Sequence, residues 1–141
     1  MRIMAVDLGD SRTGIAFCDK SEFMASPYTV IFEKNFKQCT KKAAEIAKNE
    51  NAELIVVGLP KKTDNTIGEK AEKCILFGER LEKMTGIHTV MWDERFTTVS
   101  AHMILNETNV RGQKRKNVVD AVAAVLILES YLEYRKNTGS V

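Results

Sequence analysis

Two short apolar runs open the chain, Ile3 to Leu8 (IMAVDL) and Thr13 to Cys18 (TGIAFC), and only Gly9-Asp10-Ser11-Arg12 separates them. Short apolar runs bounded by glycine and turn residues read as strands. A parallel connection needs about a dozen residues or more, so these two strands must pair antiparallel. A third strand, Tyr28 to Phe32, begins after Pro27. From Phe36 the period changes: Phe36, Cys39, Ala43, Ile46 and Ala47 recur at helical spacing, with Lys41, Lys42, Glu45 and Lys48 on the other face.

Glu53 to Leu59 (ELIVVGL) is then a continuous apolar run, as in a strand covered on both faces. After a loop from Pro60 to Asn65, a helix is expected from Ile67 to Thr85, with Ile67, Ala71, Cys74, Ile75, Leu81 and Met84 inward and Gly86 as its stop. Ile87 to Trp92 forms a fifth strand. Thr97 or Thr98 caps a short helix running to Leu105, and a last helix spans Val118 to Tyr134. The order β-β-β-α-β-α-β-α-α implies an α/β fold: a mixed five-stranded sheet, with three antiparallel strands followed by β-α-β units, flanked by helices. That is the ribonuclease H-like arrangement.

The 141 residues contain no repeat, low-complexity tract or Pro/Gly/Ser linker, so one domain over residues 1–136 is expected, with 137–141 a disordered tail. At 44% apolar and 28% charged residues the composition is globular. The longest apolar run, Ala121 to Leu128, falls well short of the roughly 18 residues of a membrane span. Asp7 and Asp10 come too early for a secretory segment, so a cytoplasmic protein with no membrane partner is expected. Cys18, Cys39 and Cys74 form no C-x-x-C pair and read as reduced packing residues; His88 and His102 are too far apart to suggest a metal site or a catalytic triad. Net charge is only +2, but residues 108 to 119 hold Arg111, Lys114, Arg115 and Lys116 with no acid, a candidate contact for nucleic acid.

Carboxylates stand where a core should be. Asp7 lies inside the first strand, Asp93 and Glu94 end the fifth, and Asp120 interrupts a helix apolar almost all round, from Val118 to Leu128. An unpaired buried carboxylate costs several kcal/mol, so such a group must be protonated, paired or bound to a cation. Each has a bland alternative: Asp120 in the first turn of its helix would meet the positive end of the dipole, Asp7 would start a turn, and Asp93 and Glu94 would pair with Arg95. All of them at sheet or helix ends that can face one cleft suggest a site instead, because sites gather beyond the carboxyl ends of parallel strands. Clustered carboxylates raise one another's pKa unless a cation sits between them. Oxygen ligands without Cys or His point to Mg²⁺ or Mn²⁺, as in two-metal phosphoryl chemistry. Asp93 and Glu94 fall on opposite faces of a sheet covered on both sides, which leaves the choice between them open.

These motifs are together similar to the YqgF (RuvX) family: Val6-Asp7-Leu8-Gly9-Asp10-Ser11-Arg12-Thr13-Gly14-Ile15-Ala16, then Val57-Gly58-Leu59-Pro60, Trp92-Asp93-Glu94-Arg95-Phe96-Thr97-Thr98, and Lys114-Arg115-Lys116 leading into Asp120 to Leu128. They fall in order and span almost the whole chain. The resemblance implies the fold of RuvC-type Holliday-junction resolvases and a nuclease in maturation of the 5′ end of pre-16S ribosomal RNA. It also makes Asp7, Glu94 and Asp120 the acidic triad, with Asp93 the lesser candidate. Where the family often has Asp-Gly-Thr, this chain has Asp64-Asn65-Thr66.

Around the triad, Arg12, Thr13 and Arg95 stand where they could hold a phosphate, and Lys61 and Lys62 lie at the same sheet edge. Arg111, Lys114, Arg115 and Lys116 would add backbone affinity that falls with salt. The expected partner is nucleic acid, a ribosomal RNA precursor or branched DNA, and a symmetric junction would suit a homodimer. Two further classes compete. Asp7-Leu8-Gly9 with Gly14 is also a phosphate loop of actin- and hexokinase-like ATPases, although those close two such domains around ATP. A non-catalytic nucleic-acid-binding module would use the basic segment alone.

Overall fold

The computed structural model of the chain describes residues 1–60, 68–94 and 112–138, with side chains described outside 112–120. Its elements are β1 (Ile3–Asp7), β2 (Arg12–Cys18), β3 (Ala25–Phe32), α1 (Phe36–Asn49), β4 (Leu54–Leu59), α2 (Glu69–Thr85), β5 (Thr89–Asp93) and α3 (Gly112–Thr138). The strands form one sheet in the order β3-β2-β1-β4-β5. β2 pairs antiparallel with both β1 and β3, while β4 pairs parallel with both β1 and β5. Connection length explains this order. The tight loop after β1 folds β2 back on one side, and the crossover through α1 returns β4 parallel on the other.

Alternation along the strands divides the core into two layers. Met4, Val6, Ile55 and Val57 pack with Cys39, Ala43 and Ala47 of α1 and with Cys74, Phe77 and Leu81 of α2. Ile3, Ala5 and Val56 pack on the opposite face with Ala124, Ile127, Leu128 and Tyr131 of α3. Burying each large aliphatic side chain stabilises the fold by about 1.5–3 kcal/mol, which makes the central β1 the best-held strand for placing a functional group at its end. Asn35 caps α1, its side chain accepting from the Gln38 N–H at 2.9 Å. Gly86, with φ 73°, ends α2 in the left-handed conformation that glycine favours.

α3 runs antiparallel to β1. Near its C-terminal end Arg135 donates from Nε to Glu22 Oε1 at 2.7 Å, and the Met1 amino group donates to Glu22 Oε2 at 3.0 Å. The N-terminal half of α3 therefore extends toward the end of the sheet where β1 and β4 finish.

Several boundaries differ from expectation. β3 begins at Ala25 and takes in Pro27, because at a sheet edge the missing N–H costs no ladder bond. The register there jumps from Ile15↔Thr29 to Ala16↔Pro27, leaving Tyr28 as the extra residue of a bulge. α3 starts at Gly112, not Val118, so Lys114, Arg115 and Lys116 are helical and not in a loop. Lysine and arginine are good helix formers, which an apolar-period reading overlooks. Asp120 accordingly sits in the third turn, and the dipole explanation for its charge, confined to the first turn, does not apply. Asn137 and Thr138, expected in the tail, are the last residues of α3. Met84, expected inward, is exposed; the buried stripe of α2 ends at Leu81. The short helix at Thr97–Leu105, the Asp64-Asn65-Thr66 turn and residues 139–141 lie outside the described residues. Among the described residues, no helix is long and apolar enough to cross a membrane.

Candidate active site

Asp7 is the last residue of β1, half-buried and paired with Gly14 of β2. Ile3 and Ala5 face α3, so alternation places Asp7 on the α3 face. Val6 pairs with Val57 and Gly58 with Trp92, which sets Asp7, Gly58 and Trp92 in one row across the end of the sheet. Trp92 also faces α3: its indole stacks edge-on against Tyr131 at 5.3 Å between centroids, and its Nε1 donates to Ser130 Oγ at 3.0 Å.

Glu94 follows β5 and shares the side of Trp92. A Cβ placed on Gly58 would lie 2.5 Å from Glu94 Oε1 and 2.6 Å from Ile127 Cδ1, so the Glu94 side chain folds back over Gly58 beside α3. Asp93 has the opposite parity and shares the side of Met91, which packs into the α1/α2 layer. Glu94, and not Asp93, thus shares a face with Asp7.

The buried Cys74 of α2 reports on both carboxylates. Burial pushes its thiol up to about 12, and the negative charges of Glu94 and then Asp7 push in the same direction against Lys70 and Lys73. Both charges are thus felt at Cys74, which lies in the opposite layer of the core.

Position 120 belongs to the row of α3 that includes Ala124, Ile127, Leu128 and Tyr131. Ile127 Cδ1 already meets the Gly58 row, so position 120 lies about two turns of α3 past that contact, toward the helix N-terminus.

The loop before β2 is tight: a Cβ at Gly9 would collide with the Arg12 carbonyl. Thr13 departs from its expected place among the phosphate contacts. It is fully buried, and its Oγ1 accepts from the Gly9 N–H and from the Cys39 thiol, each at 3.3 Å, so it braces the loop from below. Arg12 starts β2, half-buried at the same edge as Asp7. Lys114, Arg115 and Lys116 lie in the first turns of α3, while Lys61, Lys62, Arg95 and Arg111 lie outside the described residues. Among the described residues no group of three or more His, Cys, Asp or Glu side chains could hold a metal ion, and the Asp120 side chain is not among them. Sequence reasoning assigned no role to Gly58 or Ser130. A glycine inside an apolar strand run was the available signal for the first; nothing marked the second.

Residues 1–134 match the profile of the family described as "RuvX: Holliday junction resolvase". A protein of Caldanaerobacter subterraneus subsp. tengcongensis named "Putative pre-16S rRNA nuclease" is 42% identical over 139 residues, covering 98% of this chain and 100% of that one. A Clostridium novyi protein of the same name is 41% identical over 133 residues, covering 94% and 98%. Thermus thermophilus RuvC in complex with Holliday junction substrate superposes with a TM-score of 0.64 at 12% identity, covering 98% of this chain and 97% of that one. At that identity the likeness concerns the fold, and it bears out the ribonuclease H-like, mixed-sheet α/β architecture. With a family profile spanning nearly its whole length and relatives above 40% identity end to end, the chain is a member of the RuvX family.

Proposed function

We propose that this chain is a metal-dependent endonuclease that hydrolyses phosphodiester bonds of structured nucleic acid, cutting at the 5′ end of the 16S ribosomal RNA precursor in the cytoplasm. The observation that carries the reading is the Glu94 side chain folded over Gly58, on the sheet face and in the row of Asp7. Nuclease chemistry draws support from the family description and from the relatives' names, and those names favour precursor RNA as substrate.

Asp7, Glu94 and Asp120 are the residues that would hold Mg²⁺ or Mn²⁺. The donor chemistry fits: the Asp7 and Glu94 carboxylates share one face at the end of the sheet, and oxygen donors suit hard divalent ions. Such an ion, when bound, stabilises negative charge on the phosphate and on the departing oxygen. The chain supplies the positioning. Asp7 is fixed by the ladder, Glu94 by its seat over Gly58, and position 120 by a helix tied down through Ser130 and Arg135. Lys114, Arg115 and Lys116, with Arg12, Lys61, Lys62, Arg95 and Arg111, bind and orient the phosphate backbone. Residues 1–136 act as one domain.

The family description supports a second reading, a Holliday-junction DNA resolvase, for which a homodimer would match the two-fold symmetry of the cuts. Purified protein in Mg²⁺ or Mn²⁺, given a precursor RNA and a synthetic four-way junction, separates the two. We expect the RNA to be cut and the Asp7→Asn variant to be inactive. If neither substrate is cut, or the variant cuts as well as the wild type, the nuclease reading fails.

A further inference from the structure

We infer that Gly58 is a positioning residue, whose missing side chain is the notch that seats the Glu94 carboxylate beside Asp7; this rests on the metal-dependent reading above. Gly58 interrupts a strand, LIVVGL, that is otherwise aliphatic and buried throughout. Glycine weakens a strand interior, and in such a place it marks a close approach by another group. Backbone freedom does not explain it. Among the described residues the glycine with positive φ is Gly86, and Gly58 keeps an ordinary strand conformation.

The neighbours explain it. An added Cβ would lie 2.5 Å from Glu94 Oε1, 2.9 Å from Glu94 Cγ and 2.6 Å from Ile127 Cδ1, all closer than real Cβ atoms approach. Both side chains must yield to a methyl group at 58, and they differ in how they can. Ile127 is 1% exposed, enclosed by the α3 layer of the core, where close packing leaves no spare rotamer. Its helix is held by the Trp92–Ser130 and Arg135–Glu22 hydrogen bonds. Glu94 is partly exposed just past the end of β5 and carries a long side chain that can rotate toward water. A methyl group at 58 therefore turns Glu94 out toward water and also presses on the enclosed Ile127, a loss of stability that shortening Ile127 relieves.

The test is Mn²⁺ binding, followed by calorimetric titration and by paramagnetic broadening of amide signals, in the wild type, in Gly58→Ala and in Gly58→Ala/Ile127→Val. The valine removes the Cδ1 that crowds position 58, so the double variant keeps the test alive if the single one misfolds. We expect Mn²⁺ to broaden the Gly58 amide in the wild type. Gly58→Ala should lose about 10- to 100-fold in Mn²⁺ affinity, the range for residues that orient a metal ligand, and Ile127→Val should restore stability but not affinity. Wild-type affinity in Gly58→Ala, or affinity recovered on adding Ile127→Val, overturns the positioning role and leaves the nuclease reading intact. A wild type that binds no Mn²⁺ overturns the nuclease reading and this inference with it.

Discussion

Trp92 donates from its indole Nε1 to Ser130 Oγ at 3.0 Å, which fastens the last strand to α3 two residues before Glu94. The indole also packs against Tyr131 and Tyr134. Ser130→Ala leaves that N–H without its acceptor, at a cost of about 1 kcal/mol. Trp92 is the chain's single tryptophan, so denaturant titration followed by fluorescence reads both the stability loss and the change at the indole. A variant as stable as the wild type, with an unchanged emission maximum, would show that the bond contributes nothing.

Glu22 joins the opposite end of α3 to the start of β1. The Arg135 hydrogen bond is the main cause of its carboxyl lying below the ordinary value of 4.5, with the Met1 amino group adding to it against partial burial. A depressed folded pKa means stability that is fully present above pH 4.5 and lost as pH falls through the folded value. Glu22→Gln should cost about 1–2 kcal/mol at neutral pH, and the gap to the wild type should close below pH 4.5. Thermal melts of both proteins across the acid range check this; a gap independent of pH would contradict it.

The buried thiol of Cys74 makes the converse prediction. Its folded pKa is raised from 9.0 to about 12, chiefly by burial, so stability is complete below pH 9 and declines as pH rises from 9 toward 12. Cys18 and Cys39 are raised in the same direction, also mainly by burial. All three should resist alkylation in the native state and react on unfolding. Glu94→Gln and Asp7→Asn should each lower the Cys74 pKa, read from thiolate absorbance against pH. No change in either variant would separate those carboxylates from Cys74.

The basic start of α3 should act on affinity and not on the chemical step. Changing Lys114, Arg115 or Lys116 to Gln should weaken binding to unrelated sequences alike, and each change should reduce the slope of log affinity against log salt by about 1. Binding isotherms at several salt concentrations check this. A slope left unchanged by all three substitutions would move the backbone contact elsewhere.

The sheet was legible from connection lengths: the loop Gly9 to Arg12 forces β1 and β2 antiparallel, and the helical period from Phe36 forces the crossover to β4. Asp7 and Glu94 stood out because a charge ending an apolar run is visible in one dimension. The start of α3 was not legible, since Lys114 to Lys116 carry helix propensity without an apolar period. Pro27 read as a strand boundary because its sequence neighbours do not reveal that β3 is an edge. The choice between Asp93 and Glu94 needed to know which face α3 covers. The role of Gly58 needed three distant segments, β4, the residue after β5 and α3, brought into contact.

The most direct test is a crystal of the wild type soaked in Mn²⁺ and measured for anomalous scattering. We expect manganese peaks about 2.0–2.2 Å from carboxylate oxygens of Asp7, Glu94 and Asp120, the spacing of a small hard divalent ion and oxygen. Carboxylates that point apart, with no manganese between them, would contradict the account at its centre.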